Sequence, residues 1–193
     1  LNDNSIKTKI YDFFYEEERN SFVSIIEKQS NKEVVYVIHN SKFDLSFLLT
    51  NLGISLKNVW CTMLASQIIN CGTDSVRHSY KAVVEEAAYR QYPHTVINGS
   101  SSKENRWFYE NKPTISKDDV DENGVTIQKG FDGCNPLTPA QREYLEKDIK
   151  YLPFIYNQQV ALMKHIDKQC GSNLMQVASL ENKLTKVLIG MEL

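Results

Sequence analysis

No Cys-x-x-Cys pair joins the four cysteines of this 193-residue chain, Cys61, Cys71, Cys134 and Cys170. Scattered thiols of this kind offer no local dithiol motif, and the expectation is buried, reduced cysteines in an intracellular protein. An excess of basic charge is missing too. Lys and Arg number 22 against 24 Asp and Glu, a formal net charge of −2. That balance argues against a protein that holds nucleic acid by electrostatics alone. It does not argue against an enzyme that holds a few nucleotides at carboxylate-bound metals. No apolar run approaches the roughly 18 residues of a membrane span, so no membrane association is expected. No signal-peptide pattern is visible, and no internal repeat. An initiating methionine is absent as well: the chain runs from Leu1 to "LIGMEL", inside a helical apolar pattern. The expectation is a segment of a longer protein.

What is present suffices for one good-sized core, or a domain with an appendage, since 41% of the residues are hydrophobic. "KTKIYDFF" is rich in β-formers and predicts a strand over Thr8–Phe14. Glu16 to Ser30 suits a short helix. "EVVYVI", Glu33–Ile38, reads as a strand buried on both faces. From Lys42 onward, Phe43, Phe47, Leu48 and Leu52 fall on one helical face, and Gly53 stops the helix. Leu56–Cys61 is a second short strand, and Thr62 is placed to cap a helix over Met63–Ile69. "SYKAVVEEAAYRQY" is helical. Pro93 to Asn135 loses all periodicity and reads as an insertion, with a hairpin in which "TIS" and "VTIQ" flank "DENG". It is either a surface elaboration or a flap that guides substrate. "LTPAQREYLEKDIKYLPFIYNQQVALMKHI" is a long helix. Thr138 is its N-cap, Pro139 its first residue, Gln141 the partner in a capping box, and Pro153 a kink or break near its middle. A last helix carries Leu180, Leu184, Val187, Leu188 and Met191 in one stripe. Alternation of strand and helix, with helices gathering towards the C-terminal end, predicts an α/β domain.

Two carboxylates stand out by position. Asp44 lies one turn into a helix that follows a strand, where open α/β sheets place their sites. Asp148 follows Tyr144 by four residues, which puts phenol and carboxylate on one helical face. Each is ambiguous alone: the first has the position of a dipole partner, the second of a solvated pair. Their apolar neighbours predict partial desolvation, and a desolvated carboxylate needs a cation or a metal. Two facing aspartates are able to hold Mg²⁺, and a metal pair about 4 Å apart suits phosphodiester cleavage.

These segments resemble a known superfamily. "HNSKFDLSFL" (His39–Leu48) is similar to the second motif of the DEDD 3′–5′ exonucleases, which share a ribonuclease H-like fold. "LTPAQREYLEKDIKYL" (Leu137–Leu152) resembles their third motif in its tyrosine variety, Tyr-x-x-x-Asp. "WCTMLASQII" resembles the intervening segment, with Cys61 where the family usually has Asp, and "SYKAVVEE" the helix that follows. "LENKLTKVLIGMEL" resembles the helix that leads from the proofreading domain of family A DNA polymerases into the polymerase domain.

The resemblance implies a ribonuclease H-like mixed sheet flanked by helices. Residues 1–165 would form the exonuclease domain, interrupted at about 93–135, and 166–193 the helical connection to a polymerase domain. It implies that Asp44 and Asp148 ligate Mg²⁺ or Mn²⁺, two ions in the complete site. Tyr144 would position the nucleophilic water, and Asn40, Phe43 and His39 would contact a DNA 3′ end. The remainder of a polymerase chain would be the protein partner. The setting would be the cytoplasm or nucleoid of a bacterium or phage-infected cell, or a DNA-containing organelle. One departure matters. The family's first motif, Asp-x-Glu, is missing: "YDFFYEEE" holds Asp12, Glu16, Glu17 and Glu18 and reads as a solvated turn. The expectation is that the fold's first strands lie upstream. The alternatives are a ribonuclease D-type RNA-trimming enzyme and an inactive, exonuclease-like nucleic-acid-binding module.

Overall fold

β-branched and aromatic residues in sequence, Tyr36-Val37-Ile38, form strand β1 (Tyr36–Ile38). The chain then turns through helix α2 (Ser41–Leu52) into β2 (Val59–Cys61). The strands pair in parallel, with Tyr36 opposite Val59, Val37 opposite Trp60 and Ile38 opposite Cys61. A parallel pair needs such a crossover, so this is a strand–helix–strand unit. The computed structural model describes residues 7–29, 33–73, 75–91, 118–120, 124–127, 131 and 135–192. Besides α2, those residues form α1 (Glu16–Gln29), α3 (Thr62–Ile69), α4 (Tyr80–Gln91), α5 (Pro139–Lys150), α6 (Leu152–Cys170) and α7 (Leu174–Glu192). Among the described residues the fold is helix-rich α/β with a two-stranded parallel sheet, smaller than the mixed sheet expected. No helix among the described residues is long and apolar enough to cross a membrane.

Two compact units divide the chain: Leu1–Gln29 with Lys112–Lys150, and Ser30–Asn111 with Tyr151–Leu193. In the second unit the core forms where α3, α6 and α7 meet β2. Trp60, Ala65, Met163 and Ala178 are buried together there, while Val83, Val84, Ala87, Tyr151, Phe154 and Ile155 form a neighbouring cluster. Two buried amide side chains inside this unit hold groups of β2 and the start of α3. Gln159 accepts the Trp60 indole N–H at 3.0 Å and donates to the Thr62 carbonyl at 2.8 Å. Asn182 accepts the Cys61 N–H at 2.9 Å. These bonds satisfy buried groups that would otherwise cost free energy, and they fix where β2 ends.

In the first unit, buried Asp12 is the organising residue. Its carboxylate accepts N–H bonds from Phe14 at 3.2 Å and Leu137 at 2.8 Å, and pairs with Arg142 at 3.1 Å. Its own N–H donates to Glu18 at 2.7 Å. Asp12 is therefore no member of a solvated turn. These local bonds also explain why residues 7–14 form coil and turn where a strand was predicted: the side chain offers the backbone an alternative to a ladder.

Several expectations hold. Thr138 and Gln141 form the capping box, with Thr138 N–H on Gln141 Oε1 at 2.8 Å and Gln141 N–H on Thr138 Oγ1 at 3.3 Å. Gly53 ends α2 in the left-handed region at φ 65°, its N–H turned back to the last turn of the helix. Pro153 splits the long helix at Tyr151, because its ring excludes the carbonyl four residues back and it has no N–H to donate.

Others change. The run at Glu33–Ile38 narrows to three half-buried residues, and Val35 is exposed. Thr62 begins α3 instead of capping it; the N-cap is Cys61, and the Thr62 hydroxyl is used elsewhere. On α2, Ser41 and Leu45 face the core while Phe43 and Phe47 are exposed, so the aromatic face is the outer one. The apolar stripe of α7 is also outward: Leu180, Leu184, Val187, Leu188 and Met191 are exposed, whereas Ala178, Asn182, Thr185 and Ile189 are buried. Ala178 and Asn182 face inward, and the Asn182 amide reaches the Cys61 N–H of β2. Of the described cysteines, Cys61 is buried, but Cys71 and Cys170 are exposed free thiols.

Candidate functional site

Two sets of candidate residues lie one in each compact unit, and each is described by itself. The first begins where β1 ends. Asn40 adopts the left-handed conformation (φ 56°, ψ 50°), which asparagine tolerates better than most side chains, and this reverses the chain into α2. The reversal leaves Phe43 74% exposed, with Asp44 beside it at the surface. Enough protein surrounds the Asp44 carboxyl for desolvation to raise its pKa, offset in part by a bond to its own N–H. Ser41 N–H, at the start of α2, is taken by Cys61 Sγ at 3.4 Å.

His39 is fastened from several sides. Nδ1 lies 2.9 Å from Thr62 Oγ1, and its ring meets Tyr80 edge-on at 5.5 Å. Desolvation lowers its pKa to about 4, against which a hydrogen bond to the His78 carbonyl acts. The imidazole is therefore neutral at pH 7. A neutral ring carries one N–H; with that hydrogen on the His78 carbonyl, Nδ1 accepts from the Thr62 hydroxyl. His39 thus joins the end of β1 to the start of α3.

A pH dependence follows. The unfolded chain takes up a proton on His39 near pH 6.5, while the native state resists protonation down to about pH 4. The unfolded state binds more protons across that window, so stability falls as pH drops from 6.5 towards 4. The contribution is about 1–2 kcal/mol once solvent screening is allowed for. Urea midpoints at pH 7.5 and 5 should differ by more in the wild type than in His39→Gln. Equal differences would remove His39 from this role.

The second set lies on α5. Its capping box starts the helix so that Tyr144 and Asp148 emerge one turn apart on one face. Their side chains are hydrogen-bonded, with the phenol O–H donating to the carboxylate. Burial raises the Tyr144 pKa to about 12; the charge and hydrogen bond of Asp148 add to the shift, and the charge of Asp118 contributes less. Burial also raises Asp148, and the Tyr144 bond opposes it. The arrangement is a protonated phenol held beside a half-desolvated carboxylate. Such a pair can orient a polar group, and its carboxylate is suited to a cation.

Tyr144 and Asp148 interact on α5. His39, Asn40, Phe43 and Asp44 follow one another from the end of β1 into the first turn of α2. Among the described residues, no three of His, Cys, Asp and Glu gather in metal-ligating geometry. Residues that sequence reasoning passed over are Tyr80, Gln159 and Asn182, which hold the β1 and β2 ends, and Phe131, whose ring lies 6.2 Å from that of Tyr144; Thr62 was read as a cap and instead bonds His39. Only the polarity of Gln159 and Asn182 within apolar helix faces hinted at such work.

A family model described as a 3′–5′ exonuclease, of the DNA polymerase A type, matches residues 22–164. The matched stretch contains Asp44, Tyr144 and Asp148. No curated protein and no solved structure matches the chain significantly.

Proposed function

We propose that this chain, which belongs to the 3′–5′ exonuclease family of the DNA polymerase A type, is the proofreading segment of a family A DNA polymerase. It hydrolyses the terminal phosphodiester bond at a DNA 3′ end and releases a nucleoside monophosphate. The hydrogen-bonded Tyr144–Asp148 pair, one helical turn apart inside the matched region, carries this reading. Tyr144 remains protonated through the physiological range and orients the attacking water as a neutral hydrogen-bonding group. Phe43 offers an exposed aromatic face for a terminal base, and Asn40 offers an amide beside it. His39 acts on the nucleic acid through the turn it holds.

The family is typically dependent on divalent metal. Asp44 and Asp148 have hard oxygen donors, and the desolvation that raises both is of the kind a cation relieves. The donor chemistry thus fits Mg²⁺ or Mn²⁺, with two of the four carboxylates that the DEDD resemblance implies. When bound, the ion would supply positive charge to the phosphate and acidify its water. Residues 1–165 are the exonuclease part, and 166–193 lead towards a polymerase domain. The exposed apolar stripe of α7 supports that second assignment.

The test uses the intact protein on 3′-labelled single-stranded DNA with Mg²⁺ or Mn²⁺. Monophosphate release, lost in Asp44→Ala, is expected; release that survives this substitution would remove Asp44 from the site. A pH dependence accompanies it. Because burial raises both carboxyls, protons compete with the cation at higher pH than at an ordinary aspartate. Cleavage should fall on acidification earlier than ordinary aspartate ligands would make it fall, and more Mn²⁺ should move that acid limb to lower pH. An acid limb indifferent to Mn²⁺ concentration would contradict the assignment of these groups as ligands.

A further inference from the structure

The segment before α5 does more than extend the surface. Val120 and Thr126 form an antiparallel bridge, and Ile127 N–H returns to the Asp119 carbonyl at 2.9 Å. Gly124 adopts φ 74° between the arms, a value that favours glycine. Of the predicted hairpin, Val125, Thr126 and Ile127 are described, with Thr126 paired to Val120; Gln128 and "TIS" lie outside the described residues. Ile127 is 1% exposed and anchors the hairpin within its unit. Four positions later the chain sets Phe131 against Tyr144, with ring centroids 6.2 Å apart and planes inclined at 48°. That separation is within the range of favourable aromatic pairs. The same hairpin carries Asp118, whose charge acts on the Tyr144 phenol. Two residues of the segment therefore converge on one residue of α5.

We propose that Phe131 is a positioning residue for Tyr144: it braces the phenol ring from the side and fixes the direction in which the hydroxyl points. Asp148 holds the oxygen and Phe131 holds the ring, so the two contacts together leave the side chain one orientation. Phe131 then belongs to the catalytic apparatus. Phe131 is 39% exposed, so removing it leaves no buried cavity.

This inference rests on the water-orienting role of Tyr144, and a double-mutant cycle in the intact protein separates the two. Phe131→Ala should lower kcat on single-stranded DNA about tenfold with KM within about twofold, since a small displacement of a positioning group costs rate more than binding. Phe131→Tyr should restore kcat to within about twofold, and Phe131→Leu, which keeps bulk without the ring, should fall between. In a Tyr144→Phe background, Phe131→Ala should add less than about twofold, because the hydroxyl it directs is gone. An equal loss in both backgrounds, or an unchanged kcat in Phe131→Ala, would overturn the inference while leaving the nuclease reading intact. Full activity in Tyr144→Phe alongside an inactive Asp148→Ala would overturn the role of Tyr144, and this inference with it.

Discussion

Asp148→Ala is expected to lower release of 3′ nucleotides by more than about 100-fold, since losing mere supporting partners of metal ligands already costs about 10–100-fold. Two functions go at once. The carboxylate is a proposed cation ligand, and it is the acceptor that holds the Tyr144 hydroxyl. Tyr144→Phe removes only the second and should lose less. Stability should move the other way. Burial raises the pKa of Asp148, so at neutral pH the folded state carries a carboxylate in surroundings that disfavour its charge. A group whose folded pKa lies above its unfolded value weakens the fold once ionised. The metal-free melting temperature of Asp148→Ala or Asp148→Asn should therefore hold or rise while activity collapses. A large drop in melting temperature would make Asp148 a structural residue, and preserved cleavage would remove it from catalysis.

Asp12→Ala should do the opposite: large damage to folding, with no direct chemical role. The Asp12 carboxylate is 3% exposed and receives N–H bonds from Phe14 and Leu137 and the guanidinium of Arg142. Removing it leaves two backbone donors and a cation without their acceptor. Loss of one partner of a buried pair costs about 3–5 kcal/mol, and the partial exposure of Arg142 places the expectation near the lower end. Asp12→Asn should recover part of the loss, since its amide oxygen still accepts. Urea denaturation of the intact protein measures both. A loss below about 1 kcal/mol for Asp12→Ala would mean that water replaces the carboxylate without penalty.

Local sequence was decisive wherever the physics is local. Thr138, Pro139 and Gln141 specify a helix start within four residues, and they start α5 as read. Pro153 breaks a helix whatever surrounds it, and Gly53 ends one because few other residues take its backbone angles. The four-residue spacing of Tyr144 and Asp148 is a property of the helix itself, so their pairing was legible before any packing was known. The DEDD-like motifs at His39–Leu48 and Leu137–Leu152 were legible for the same reason, being contiguous strings.

Orientation towards the core belonged to the tertiary structure. Phe43 and Phe47 read as one face of α2 without saying which way it points, and Leu45 and Ser41 are the residues buried there. The large apolar residues of α7 read as its packing stripe, yet Ala178 and Asn182 lie inward. A helix can bury either of two faces, and only the shape of its partner selects between them. Asp12 finds Leu137 and Arg142 across more than 120 residues, and Phe131 finds Tyr144 from a segment with no periodicity at all. Contacts of that kind depend on where the backbone returns. Spacing along the chain carries no trace of that return, because the free energy that selects it is summed over the whole packed unit.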